Sequence, residues 1–347
     1  FRPDPVAEPG FRPVQPVDRN RLASRPASPG QPVDIENPRL AGVNPDSRRD
    51  VWIKKLVYPA HTLPTALAPV MVGVGLAIGD EVFAPLPALG VFVFGWLVQL
   101  GGVLADNYFN LKRYHNDAEH PALVHALERG VIHLEEIKRV TVGVFAIAAI
   151  TGVYLILEGG VPVIVVGAAS MAVSVLYSLE VTDLPLHDLY FFLFFGPISV
   201  GGTYYIQAVA GGPVPLGLPP GSLPPIVVLA GIPVGTLTTA ILVVDNVRDL
   251  DHDRGKDDPT LAVVIGEVWS RIEYYVLLAV AYAIPFALWL WLSDPSVLLP
   301  LLSLPYALVV ARRMAKSYTY RELLPMSPAT GRTLLLYSVL FGVGFAV

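Results

Sequence analysis

PIVVLAGIPVGTLTTAILVVDNVRDLDHDRGKDD, residues 225 to 258, changes character once, at Asp245. Residues 225 to 244 contain no ionisable side chain, and a helix needs roughly 20 such residues to cross a hydrocarbon core. The remaining fourteen residues hold six acids, Asp245, Asp249, Asp251, Asp253, Asp257 and Asp258, with Arg248, Arg254 and Lys256 between them. One stretch therefore reads as a membrane span, at 225–247, that delivers a concentrated acidic face to one side of the bilayer.

The rest of the chain repeats the first half of that pattern. Apolar runs cover 62–80, 86–110, 139–157, 161–178, 189–210, 270–293, 297–311 and 333–347, which with 225–247 makes about nine spans. They are continuously apolar rather than alternating with period two, so helices are expected and a membrane barrel is not. Composition agrees: 53% of the 347 residues are hydrophobic, 15% are charged and mean hydropathy is +0.55, more apolar than a water-soluble domain requires. The expected fold is an all-α, polytopic membrane helical bundle. The last run is still apolar at Val347 and the chain opens at Phe1 without a Met, so nine is read as a minimum and both ends as incomplete. No cysteine is present, which removes disulfides, thiolate nucleophiles and cysteine metal sites.

Charge placement gives an orientation. The connections after the second, sixth and eighth spans carry Lys112, Arg113, Arg129 and Lys138, then Arg248, Arg254 and Lys256, then Arg312, Arg313, Lys316 and Arg321. The opposite connections, GDEVFAPLP, EGG and AGGPVPLGLPPGSLPP, have no Lys or Arg. The positive-inside tendency puts the basic face, and with Lys54 and Lys55 the N-terminal segment, in the cytoplasm, as expected for an inner (plasma) membrane protein. Residues 1–50, with proline recurring from Pro3 to Pro45 and no apolar periodicity, form a separate segment. It is expected to be a disordered cytoplasmic tail or an arm that binds a protein partner, while 51–347 form the membrane domain.

The acidic chemistry occurs twice. In 245–258, Asp245, Asp249 and Asp253 are spaced i, i+4, i+8 and line one helical face. Stacked like charges repel unless a cation lies among them, and Mg²⁺ favours one or two carboxylates with waters and phosphate oxygens. Arg248, Arg254 and Lys256 supply phosphate contacts beside it. In DNYFNLKRYHND, 106–117, Asp106 and Asn110 share a face, Asn107 stands beside them, and Lys112, Arg113 and Asp117 follow. Both segments begin Asp-Asn at the basic end of a long apolar helix, as two related halves of a bundle would. A solvated polar loop between membrane helices is the simpler alternative for each. A transporter is disfavoured, because ionisable residues gather at one face rather than at the midplane.

These residues resemble the UbiA superfamily of intramembrane aromatic prenyltransferases, most closely its 1,4-dihydroxy-2-naphthoate branch in menaquinone synthesis. DNVRDLDHDRGKDDPTLAVVIG (245–266) resembles the family's second motif, FFLFFGPISVGGTYYIQ (191–207) the stretch before it, and HTLPTALAPVMVG (61–73) its first helix. The resemblance covers roughly 52–347. It implies a UbiA-like bundle that transfers a polyprenyl group from an allylic diphosphate to an aromatic acceptor, with Mg²⁺ as cofactor, membrane lipid as surroundings and no nucleic-acid partner. On that reading Asp106, Asn110, Asp249 and Asp253 are catalytic, and Asp106, Asn110, Asp245, Asp249 and Asp253 hold metal. Asn107, Lys112, Arg113, Asn246, Arg248 and Lys256 bind the diphosphate, and Tyr177, Tyr204 and Tyr205, with Phe195, offer π faces to an allylic cation. His61, His115, His125 and His252 are candidate proton handlers, and Asp183 and His187 candidate closing residues. Where the family's first motif runs Asn-Asp-x-x-Asp, this chain has Asp106-Asn107-x-x-Asn110, and Tyr58, His61 and Arg129-Gly130-Val131 also depart from it. Those departures motivate a second reading, a catalytically degenerate subunit that binds quinone or lipid within a larger complex.

Overall fold

The structure, a computed structural model, describes residues 62–113, 127–128, 130–179, 186–254 and 260–347. The Pro-rich segment 1–50 lies outside these residues, as do His61, His115, Asp117, His125, Arg129, Asp183 and Lys256 and the side chains of Arg113, Tyr177 and His252.

Among the described residues the regular structure is all helical: α1 (Thr62–Gly79), α2 (Pro85–Arg113), α3 (Leu134–Leu179), α4 (His187–Leu193), a π turn (Phe194–Ile198), α5 (Ser199–Val209) and α6 (Pro225–Asp253) come first. Then follow α7 (Leu261–Ile265), α8 (Glu267–Leu292), a 3₁₀ helix (Pro295–Ser303), α9 (Leu304–Met314), α10 (Tyr320–Leu323) and α11 (Met326–Ala346). Among the described residues seven runs are long and apolar enough to cross a membrane, and Leu63–Gly79 is a shorter apolar helix. One of the seven crosses twice. Gly152 and Gly167 of α3 both face Phe94, with Cβ positions 3.3 Å and 3.6 Å from its ring. In a straight helix they would stand about 22 Å apart at 1.5 Å per residue. The chain therefore folds back between them, and the bundle has about the number of apolar helices that the sequence suggests.

The reversal is made at Gly160, whose φ of 67° and ψ of −152° interrupt α3. A Cβ there would lie 1.8 Å from the Pro215 carbonyl oxygen, which also accepts from the Val161 N–H at 3.0 Å. Only glycine supplies both the backbone conformation and the space.

α6 forms the centre. Val227, Ala230, Val234, Leu237, Ala240 and Val244 are all fully buried, and α1, α5, α8, the 3₁₀ helix, α9, α10 and α11 share its apolar core. Segment 188–197 descends antiparallel along it: Thr239 Oγ1 donates to the Asp188 carbonyl oxygen at 3.4 Å, Gly235 faces Phe192 and Gly231 faces Pro197. Glycines let these backbones approach as small residues do at helix contacts in lipid. The outer hairpin is the opposite: Ile150, Val153, Leu157 and Val165 of α3 are more than half exposed and form a lipid-facing surface.

Candidate active site

Between α1, α2, α3, segment 187–206 and α6 lies a cavity of about 1560 Å³. Its wall includes Val228 and Asp249 of α6, about 30 Å apart on that helix, so it extends through the hydrocarbon thickness. Most of the wall is apolar, with Phe94, Phe191, Phe194, Phe195 and Ile198 among the larger side chains. One end is different: Asp106 and Asn107 from α2 meet Asp245, Asn246, Arg248, Asp249 and Asp253 from α6.

The spacing along α6 explains that end. Asp245, Asp249 and Asp253 recur every fourth residue and all border the cavity, whereas Asp251 falls on the other side, is exposed and pairs with Arg254 at 2.8 Å. Asp249 and Asp253 are buried. Arg248 donates through Nη2 to Asp249 Oδ2 at 2.6 Å and through Nη1 to Asp245 Oδ1. Two carboxylates thus share one guanidinium, which keeps a buried cluster of like charge from standing uncompensated.

On α2, Asn107 is buried. Its Nδ2 donates to the Val103 carbonyl at 2.8 Å, and its Oδ1, also buried, accepts from no protein donor. An amide oxygen with free lone pairs, on a residue that lines the cavity together with these carboxylates, suits a hard cation. Among the described residues no three His, Cys, Asp or Glu side chains converge on one point. The donor set suits Mg²⁺, which keeps waters and phosphate oxygens in its shell, better than a metal that needs a closed protein cage.

The other expected site residues are distributed unevenly. Asn110 is buried but is not among the residues bordering the cavity. Lys112 is exposed, with its Nζ 5.9 Å from the Tyr108 ring. It lies about 240° around α2 from Asp106 at 100° per residue. Phe195 and His187 line the cavity. Tyr204 and Tyr205 belong to its far end: the Tyr204 hydroxyl donates to Asp80 Oδ2 at 2.6 Å, and that of Tyr205 to the Gly159 carbonyl at 2.9 Å. Gly201, one turn before them, faces Leu223 just ahead of α6, about 30 Å along that helix from Asp245. Both rings thus lie at the end of the bundle away from the acids, with Tyr205 still bordering the cavity. Tyr190 and Phe191, roughly 10 Å along α6 from Asp245, are the aromatic wall residues on the segment beside Thr239.

Sequence reasoning did not single out Thr65, Gln99, Thr238, Thr260, Tyr320 or Ser327, all of which line the cavity. Gln99 offered a signal, a lone amide inside an apolar run, two turns before Asp106. Ser327 offered none.

Residues 66–324 match the UbiA prenyltransferase family. The 1,4-dihydroxy-2-naphthoate octaprenyltransferase of Escherichia coli (strain K12) is 28% identical over 309 residues, 86% of this chain and 96% of that protein. Among solved structures, the apo form of a UbiA homolog from Aeropyrum pernix K1 superposes with a TM-score of 0.61 at 16% identity, over 78% of this chain and 94% of that one. A UbiA homolog from Archaeoglobus fulgidus bound to DMAPP and Mg²⁺ gives 0.50 at 14% identity, over 83% and 99%. Family match and helical architecture agree: this multi-pass membrane protein belongs to the UbiA prenyltransferase family.

Proposed function

We propose that the chain transfers a polyprenyl group from an allylic diphosphate to 1,4-dihydroxy-2-naphthoate, a step of menaquinone synthesis, at the Asp-rich end of its cavity and with Mg²⁺. One observation carries this reading: a single cavity has acids, Arg248 and an unpartnered amide oxygen at one end and an apolar lining through the rest of the membrane thickness. That is the shape of a polyprenyl diphosphate, with a polyanionic head on a long hydrocarbon. The curated relative's substrate supports the choice of acceptor.

Asp106, Asn107, Asp245, Asp249 and Asp253 are the residues to hold Mg²⁺. When bound, the metal supplies charge neutralisation for the diphosphate. Arg248, already desolvated between Asp245 and Asp249, is the donor for the leaving group as the allylic C–O bond breaks and its electron pair departs with the diphosphate. Beyond that end the apolar wall excludes water that would otherwise capture the allylic cation. Tyr190 and Phe191 offer it π faces. The acceptor ring carbon then forms the new C–C bond, and loss of the ring carboxylate as carbon dioxide restores aromaticity. Thr65, Gln99 and Thr238 border the same stretch and supply hydrogen bonds for the ring hydroxyls. The basic face is taken as cytoplasmic, where a water-soluble acceptor and the diphosphate head are both found.

Purified protein incubated with farnesyl diphosphate, 1,4-dihydroxy-2-naphthoate and Mg²⁺ should give a prenylated naphthoquinol that disappears in Asp249→Ala. Absence of product from this or any other aromatic acceptor, in protein that binds Mg²⁺ and diphosphate, would refute the reading.

A further inference from the structure

Asp245 is held by a segment that belongs to neither acidic stretch. Between α9 and α11 the chain is tied down tightly: Arg271 of α8 donates to the carbonyls of Met314 at 2.8 Å and Ser317 at 2.7 Å, with the Tyr318 ring 4.7 Å from its guanidinium. Glu322 Oε2 accepts from the N–H groups of Tyr318 and Thr319 at 2.9 Å and 3.1 Å, which closes a capping box at the start of α10. From this anchored turn Tyr320 lies with its ring 5.7 Å from the Arg248 guanidinium. Seven residues later, at the start of α11, Ser327, only 1% exposed, donates its hydroxyl to Asp245 Oδ1. The same oxygen accepts from Arg248.

Helix geometry offers Ser327 a simpler use. In the same helix Thr330 and Thr333 turn their hydroxyls back to the carbonyls of Met326 at 2.9 Å and Ala329 at 3.2 Å, the ordinary habit of a hydroxyl in a buried helix. Ser327 instead reaches across to a carboxylate 82 positions away in sequence. With two donors on one oxygen, the Asp245 side chain is confined to a single orientation in a cavity that it lines together with Tyr320, Leu324 and Ser327.

We propose that Ser327 is a positioning residue of the diphosphate end: it fixes the Asp245 carboxylate, so that the start of the last helix is part of the site. Ser327 lies beyond the stretch that matches the family, 66–324. The proposal rests on the transferase reading for its kinetic consequence but not for its binding consequence, and the two are separable by experiment.

The test is Mn²⁺ binding, followed by electron paramagnetic resonance, to the full chain in nanodiscs with inorganic diphosphate present. Ser327→Ala should weaken binding about 10-fold, as loss of a hydrogen bond to a charged group does, while Ser327→Thr, which keeps the hydroxyl, binds like wild type. Without ligand Ser327→Thr should melt with wild type and Ser327→Ala slightly below it, all three cooperatively. In turnover assays Ser327→Ala should raise the Mg²⁺ concentration for half-maximal rate by the same factor. Wild-type affinity in Ser327→Ala, equal weakening in Ser327→Thr, or no Mn²⁺–diphosphate binding by wild type would each overturn the proposal. Wild-type binding that is sensitive to Ser327→Ala, without prenyl transfer to any aromatic acceptor, would instead overturn the transferase reading and leave the positioning role standing.

Discussion

The ends of α2 and α6 meet at one cavity with the same two residue types and different electrostatics. On α6 the acids Asp245, Asp249 and Asp253 line the wall, and Arg248 is shared by two of them before any ligand arrives. On α2 the wall is Asp106 and Asn107, one carboxylate beside an amide whose oxygen has no protein donor. The first end brings charge with its own counter-ion, and the second brings coordinating oxygen at little electrostatic cost. A diphosphate site needs both, but they should not be equally sensitive to substitution.

That asymmetry can be broken at its strong end first. Asp249→Ala removes a cavity carboxylate and strips Arg248 of a buried partner, so kcat for prenyl transfer should fall ~10³-fold, measured by product formation at saturating Mg²⁺. Asp106→Ala should cost less, on the order of 10²-fold, and a loss equal to that of Asp249→Ala would make the two ends equivalent. Asn107→Asp sharpens the contrast in the other direction: a second carboxylate on α2 should tighten apparent Mg²⁺ affinity by about 10-fold, the equivalent of ~1.4 kcal/mol, read from the Mg²⁺ dependence of the rate. Tyr204→Phe deletes a hydrogen bond to Asp80 at the far end of the bundle. It should lower stability by about 1 kcal/mol and leave kcat within twofold of wild type; a large fall in kcat would return that ring to the chemistry. The smallest effect belongs to Asp294, which caps the 3₁₀ helix by accepting from the Ser296 N–H at 2.9 Å. That bond holds its carboxyl below the usual aspartate range. A depressed folded-state pKa means that the cap's contribution is present above the unfolded pKa and fades as pH falls through the lower, folded value. Asp294→Ala should therefore flatten the acid limb of the melting curve slightly.

Much of this was readable from the chain itself. Each expected span coincides with helix in the structure, because an apolar run of that length has few alternatives in a bilayer. The four-residue recurrence of Asp245, Asp249 and Asp253 also survived, since charge against an apolar background reveals which way a helix faces. For Tyr204 and Tyr205 the sequence offers less. Within a membrane helix the lipid side and the protein side are both apolar, so sequence carries little contrast to say which way a tyrosine points or at what depth its partner lies. Lys112, near Asp106 in sequence, stands six residues on and around the helix from it, exposed, which proximity in sequence alone does not reveal. Ser327 was invisible for a third reason, because its partner is set by how α11 packs on α6 and no local pattern encodes that.

The guanidinium between Asp245 and Asp249 has a thermodynamic consequence. A cation entering there competes with Arg248 and must leave it somewhere to go; an incoming anion provides that place. Donor and metal should therefore bind with positive coupling, each tightening the other by the same factor, and either alone should bind weakly. Such coupling would keep the acidic pocket from being occupied by the Mg²⁺ of its surroundings until a prenyl diphosphate is present to share it.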